Sequence, residues 1–331
     1  MLSYRERAGS GTPALLIHGN FASSAWWAPL FEAPECDRRL IAPDLPGCGD
    51  SSEPEDPEGY SIGAVAHEIG ELVERLGLRR FHLVGHSLGA AVAVRLLERH
   101  AHRVLDVSLF GPAPLDGTEG MKKGNGEMAK LLRRFPPNSR SRMGLLDVSL
   151  GSARMLGTHK LAMDKAIRAQ MPGASLESKA FSELVKTATV QSNRTILGYL
   201  TALANIDHEP IARACELPVS VVWGELDKVV PLASARQLAK TFPAGRLQVW
   251  NGVGHSPMLE TPDRTLDHLR RFWSATDEVP VLARPARALV QRTPRRGWRW
   301  LRALRIRFEH FTRRWTRFFR GPREPHKALE P

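Results

Sequence analysis

Between residues 81 and 100 the chain passes from a short apolar run, Phe81-His82-Leu83-Val84, through Gly85-His86-Ser87-Leu88-Gly89 into an alanine-rich segment that ends at His100. A serine bracketed by two glycines, with a strand before it and a helix after it, leaves few ways to build the turn. The backbone must reverse sharply at the serine, and the glycines let strand and helix approach where a Cβ would collide. Such an elbow holds the Ser87 hydroxyl away from the backbone and commits this part of the chain to an α/β arrangement.

The neighbouring segments extend that arrangement. Ala14-Leu15-Leu16-Ile17-His18 is a continuous apolar run of strand length, as expected for a strand covered on both faces, and it ends in Gly19-Asn20-Phe21. Short strands are expected at Tyr4–Arg7 and Arg39–Ala42, and a further one at Val104–Phe110. Ser61–Leu76 repeats Ile62, Val65, Ile69, Leu72, Val73 and Leu76 at helical spacing and stops at Gly77. The pattern resumes with a strand at Pro218–Trp223, a helix at Leu232–Phe242, a strand at Arg246–Trp250 and a helix at Thr261–Ser274. Alternation at this interval predicts a doubly wound, mostly parallel sheet, with ligands beyond the carboxyl ends of its strands.

Residues 111–210 interrupt the rhythm. No apolar strand pattern is present there, while helical spacing is found at Gly126–Arg134, Leu145–Leu156, His159–Met171, Leu176–Val190 and Arg194–Ala204. The expected organisation is a core from residues 1–110 and 211–279, an inserted helical cap over 111–210, and a tail over 280–331.

Charge separates the tail from the rest. The chain carries a formal net charge of +12. Residues 280–331 hold 15 of its 47 basic residues and 3 of its 35 acidic ones, so the first 279 residues are neutral, with 32 of each sign. Within 297–320, Leu301, Leu304, Phe308, Phe311, Trp315 and Phe318 fall on one helical face, and Arg302, Arg305, Arg313, Arg314, Arg317 and Arg320 on others. An aromatic stripe opposite arginines predicts a basic amphipathic C-terminal helix lying on an anionic membrane surface. A nucleic-acid tail would not need six aligned apolar residues, which disfavours that partner; docking on the body or on a partner protein is the remaining alternative. No apolar run is long enough to span a bilayer, and the N-terminus has no signal-peptide pattern. Cys36, Cys48 and Cys215 are too few and too scattered for a disulfide framework or a metal site. These features suggest a cytoplasmic protein, peripheral on the inner membrane face, with neither cofactor nor metal.

A serine hydroxyl becomes a useful nucleophile only when a base takes its proton and a third group orients that base. Two later segments supply candidates, each just after a strand. Gly224-Glu225-Leu226-Asp227 presents an acid, and Gly252-Val253-Gly254-His255 a base. Asp106 is an alternative acid. His18 and His86 have structural readings, His86 as packing beside the nucleophile, and Asp44 is read as a brace for its own loop.

The order Ser87, Asp227, His255, together with His18-Gly19, Asp44-x-x-Gly47-x-Gly49-x-Ser51 and Gly254-His255-x-Pro257-x-x-Glu260, resembles the α/β-hydrolase fold family of the capped, serine-nucleophile type. The resemblance covers about residues 3–275. It implies an oxyanion hole made by the amides of Asn20 and Leu88, and a triad of Ser87, His255 and Asp227. Phe21, Trp26 and Trp27 are candidates to line the substrate pocket. The implied activity is hydrolysis of an ester-like bond in a small acyl or ester substrate, including lipidic ones, through an acyl-enzyme. Carbon–carbon bond hydrolysis, acyl transfer and cofactor-free perhydrolysis use the same triad, and a non-catalytic binding module would share the fold. A serine at position 87 argues against the family's aspartate-nucleophile chemistries.

Overall fold

Seven strands hydrogen-bond into one sheet: β1 (Tyr4–Arg7), β2 (Gly11–Ile17), β3 (Arg38–Pro43), β4 (Phe81–His86), β5 (Val104–Phe110), β6 (Val219–Gly224) and β7 (Gly245–Trp250). The structure is a computed structural model that describes residues 2–117, 151–152, 155, 158–173 and 179–277. Strand order is β1-β3-β2-β4-β5-β6-β7. β1 pairs antiparallel with β3, and every other pairing is parallel. The parallel strands are connected by crossovers that place helices on the faces of the sheet, as the alternating pattern requires.

Because successive side chains on a strand point to opposite faces, the apolar runs feed two cores at once. Leu15, Ile17, Ile41, Leu83, Val107, Leu109 and Val221 join one cluster, with Ile69 and Val73 of α2 (Ile62–Arg75) and Val92 and Leu96 of α3 (Leu88–His100). Ala14, Leu16, Leu40, Val84, Phe110 and Val222 join the other, with Leu30 of α1 (Ala28–Glu32). Each fully buried residue of this kind contributes about 1.5–3 kcal/mol. Two-sided burial therefore explains why these strands read as unbroken apolar runs rather than as alternation.

Between β5 and β6 the described residues beyond Gly117 are mostly helical. They form α4 (His159–Gln170), α5 (Lys179–Val190), α6 (Asn193–Ala204) and α7 (Glu209–Ala214). Tyr199 of α6 donates to the Pro46 carbonyl at 2.8 Å, and the Tyr60 and Thr195 hydroxyls meet at 2.9 Å, so α6 is tied to the loop after β3. The core is completed by α8 (Leu232–Thr241), α9 (Pro257–Glu260) and α10 (Pro262–Asp277). All described residues fall within one unit, Met1–Ala288. The helix expected at 126–134, most of that at 145–156, the start of that at 176–190, and the linker and amphipathic helix of 280–331 lie outside the described residues.

Candidate active site

At the end of β4, Ser87 adopts φ 53° and ψ −113°, a left-handed conformation that costs a non-glycine residue about 1–3 kcal/mol. The surroundings hold it there. Its N–H donates to the Phe110 carbonyl at 3.0 Å, and its carbonyl accepts from Ala90 at 3.1 Å and Ala113 at 3.3 Å. A Cβ at position 85 would lie 2.6 Å from the Gly89 carbonyl oxygen, and one at position 89 would lie 2.2 Å from that of Ile17. Ser87 occupies the N-cap position of α3, yet its hydroxyl makes no capping hydrogen bond. Its Oγ is thus left available, where an ordinary N-cap serine is engaged with its helix.

The expected acid and base come together across the ends of β6 and β7. His255 Nδ1 lies 2.7 Å from Asp227 Oδ2, with both side chains nearly or fully buried. The other oxygen, Asp227 Oδ1, accepts from the amides of Val229 at 2.7 Å and Val230 at 3.1 Å. The carboxylate is therefore fixed in orientation by backbone donors and accepts from His255 Nδ1. The two loops are packed backbone to backbone, since a Cβ on Gly224 would fall 1.9 Å from the Gly254 carbonyl oxygen.

His255 also sits beside the elbow. Its ring centroid is 5.0 Å from that of His86, the residue preceding Ser87, and His86 Nε2 donates to the His255 carbonyl at 3.0 Å. A Cβ on Gly111, which follows the strand residue that holds the Ser87 amide, would lie 3.0 Å from His255 Nδ1. Among the described residues no hydrogen bond joins Ser87 Oγ to the His255 ring; such contacts commonly tighten only with substrate. Burial, and then the neighbouring His255, push the His86 pKa well down, so His86 is a neutral donor to the His255 backbone. Trp26 stacks on the His86 ring, with centroids 5.6 Å apart. The earlier reading of His86 as packing is thus incomplete.

The amides of Asn20 and Leu88 make no hydrogen bond to another described residue. Leu88 opens α3, where a helix leaves its first N–H groups unused. The turn that carries Asn20 is shaped by its own side chain: Oδ1 accepts from the Phe21 amide at 3.0 Å, with Phe21 held at φ 58°. His18 braces the turn from below, donating from Nδ1 to the Gly19 carbonyl at 2.8 Å and accepting the Leu45 amide on Nε2 at 3.0 Å. Burial lowers its pKa, consistent with this neutral tautomer. Asp44 accepts the Ser24 amide at 2.6 Å and the Asp50 amide at 3.1 Å, so it does brace its loop.

Trp26 belongs to an apolar cluster with Ala22 and with Ile167, Met171, Val185 and Ala188 of the inserted segment; Phe21 and Leu259 pack on its margin. Trp27 is placed elsewhere. It is fully buried with Leu16, Leu30 and Leu40 in the second sheet core, because the short helical turn Ser24–Trp27 sends adjacent residues to different sides. Trp27 is therefore core and not a pocket residue. Asp106 is also placed elsewhere: it lies near the start of β5 and binds His82 Nδ1 at 2.7 Å, at the opposite strand ends from Ser87. Two clefts of about 570 and 420 Å³ open elsewhere, between β7 and α10 and between α2 and α3, and neither is lined by Ser87, Asp227 or His255. Among the described residues no cluster of three His, Cys, Asp or Glu could hold a metal ion.

The Glu260 carboxylate is a component that the sequence pattern contains without explaining. It accepts the amides on both sides of His255, from Gly254 at 2.8 Å and Ser256 at 3.1 Å. Its spacing from His255 was the only visible signal.

Comparison with known proteins bears on the fold. Residues 12–262 match the family model described as the alpha/beta hydrolase fold. An uncharacterized protein of Mycobacterium tuberculosis is 28% identical over 292 residues, covering 86% of this chain and 82% of the relative. A 2-hydroxymuconate semialdehyde hydrolase of Pseudomonas putida is 27% identical over 276 residues, covering 82% of this chain and 90% of the relative. Among solved structures, a putative aryl esterase from Burkholderia cenocepacia shares the fold with a TM-score of 0.67 at 20% identity, covering 84% and 96% of the two chains.

Proposed function

Since the chain belongs to the alpha/beta hydrolase fold family and is an enzyme of that family, we propose that Ser87, His255 and Asp227 form its catalytic triad and cleave an ester-like bond through an acyl-enzyme. His255 Nε2 takes the Ser87 proton as Oγ attacks the carbonyl carbon. Asp227 holds the ring by Nδ1 and stabilises the imidazolium that forms. The Asn20 and Leu88 amides receive the developing oxyanion; loss of one such donor typically costs about 10²–10³ in rate. His255 then gives its proton to the departing alcohol, and the same nitrogen activates the water that releases the acid. The observation that carries this reading is the buried Asp227–His255 pair at 2.7 Å beside a strained elbow serine whose hydroxyl caps nothing.

The apolar cluster of Trp26, Ile167, Met171 and Val185 favours an uncharged, apolar acyl group, with the helical insertion serving as the cap. Hydrolysis of p-nitrophenyl esters from acetyl to palmitoyl, compared with Ser87→Ala, tests the reading. Turnover abolished by the substitution supports it, and no turnover at any chain length moves carbon–carbon hydrolysis or acyl transfer ahead.

The basic tail gives the proposal a location. No described helix is long and apolar enough to cross a membrane. The arginine-flanked aromatic stripe of 297–320 suits attachment to an anionic leaflet, where each basic residue contributes about 1 kcal/mol. Removal of residues 280–331 is expected to abolish co-sedimentation with anionic liposomes; unchanged co-sedimentation contradicts this attachment.

A further inference from the structure

The backbone on either side of His255 is held from three directions, and the inserted segment supplies one of them. The His255 N–H donates to the Gln170 carbonyl at 2.8 Å, at the end of α4. Three residues on, the Gly173 amide donates to Glu260 Oε2 at 3.0 Å, the same oxygen that accepts the Gly254 amide at 2.8 Å. Glu260 Oε1 accepts the Ser256 amide at 3.1 Å. The fit allows no slack: a Cβ on Gly254 would fall 2.5 Å from the Gln170 carbonyl oxygen and 2.6 Å from Pro172. Every N–H from Gly254 to Ser256 thus ends on Glu260 or on the insertion, and Glu260 binds both.

We propose that Glu260 is a positioning residue that couples the seating of the inserted segment Gln170–Gly173 to the placement of His255. When the insertion is seated, one carboxylate fixes the His255 loop and the insertion to each other. When it lifts, the His255 amide loses its acceptor and Glu260 loses a donor, and the loop is freed to drift. The base would then be fully placed only with the insertion closed over the apolar cluster that includes Met171, so apolar substrate groups that hold the insertion down also complete the base. A displacement of about 1 Å can cost about 10²-fold in rate even when its cause is remote from the chemistry. The coupling rests on the triad reading only for the role of His255; the hydrogen bonds themselves are independent of it.

Glu260→Gln preserves size and one acceptor oxygen, but it turns an NH₂ group toward backbone donors and removes a charge near His255. The expected result is a fall in kcat of about 10²-fold with little change in KM. Hydrogen–deuterium exchange on the full chain is the second readout, with the amides of 165–173 and 252–258 exchanging faster together in Glu260→Gln. Gly173→Pro, which removes the insertion's amide and leaves Glu260 in place, should raise exchange in the same two segments and serves if Glu260→Gln does not fold. Faster exchange at 252–258 with 165–173 unchanged overturns the coupling, and so does an unchanged kcat. Ser87→Ala separates the two claims: turnover retained by that variant would refute the triad reading, while the exchange result would still decide the coupling.

Discussion

Among the described residues, two buried histidine–aspartate pairs lie at opposite ends of the sheet's strands, and both have Nδ1 and Oδ2 2.7 Å apart. His255–Asp227 sits at the carboxyl ends of the strands, and His82–Asp106 near the amino ends of β4 and β5. The difference is the second nitrogen. His82 Nε2 lies 3.2 Å from both Asp277 Oδ1 and Arg38 Nη1, and its ring is stacked on Trp273. Thr276 donates to Asp106, and Arg38 reaches Asp277 at 2.5 Å, so this pair is consumed in fastening the end of α10 to the sheet. His255 Nε2 makes no hydrogen bond to a described residue. A dyad of ideal length is therefore not in itself a base; the proposed triad puts the base where a nitrogen is left over.

The largest expected contrast is in activity. His255→Ala should lower kcat/KM by about 10⁴-fold or more, while His82→Gln leaves kcat per folded molecule at the wild-type value. Comparable losses in both variants would dissolve the distinction. Asp227→Asn should follow with about 10⁴-fold in kcat, because an amide presents the wrong partner to Nδ1; a loss under tenfold would mean that the ring is oriented by something else.

Stability should reverse the ranking. Replacing His82 takes its imidazole partner from the fully buried Asp106, so His82→Gln should destabilise the fold by about 3–5 kcal/mol in denaturant titrations. Parity with His255→Ala would show that the network is not an anchor. A smaller effect comes from histidines outside both dyads. Burial lowers the pKa of His208 to about 3 and of His268 to about 4. The folded state holds these protons less tightly than the unfolded chain does, so stability is complete above about pH 6.5 and falls as pH drops toward 4 and 3. Each fully depressed histidine should cost about 2 kcal/mol between pH 6.5 and 5. His208→Asn should flatten the slope, and a melting temperature unchanged from pH 8 to 5 would contradict this account.

What the sequence made legible was local. The apolar runs marked β2, β4, β5 and β6 because two-sided burial removes alternation, and the spacing in 61–76 gave α2 to within a residue at each end. The Gly-x-Ser-x-Gly elbow was legible because only small residues permit it. Relations across the sheet were not. Trp26 and Trp27 are adjacent in sequence, yet one stacks on His86 and the other fills the opposite core. Asp106 lies on the strand that supplies the acceptor for the Ser87 amide, but at its far end, a matter of direction and register. Gln170 meets His255 through backbone groups, which leave no residue-type signature, and the Glu260 carboxylate was visible only by its spacing from His255.

Covalent capture tests the central claim most directly. Full-length protein treated with an aryl fluorophosphonate should gain one adduct by intact mass, mapping to Ser87, with turnover lost in step and labelling strongly slowed in His255→Ala. Labelling at another residue, or ester turnover that persists when Ser87 is fully modified, would contradict the account.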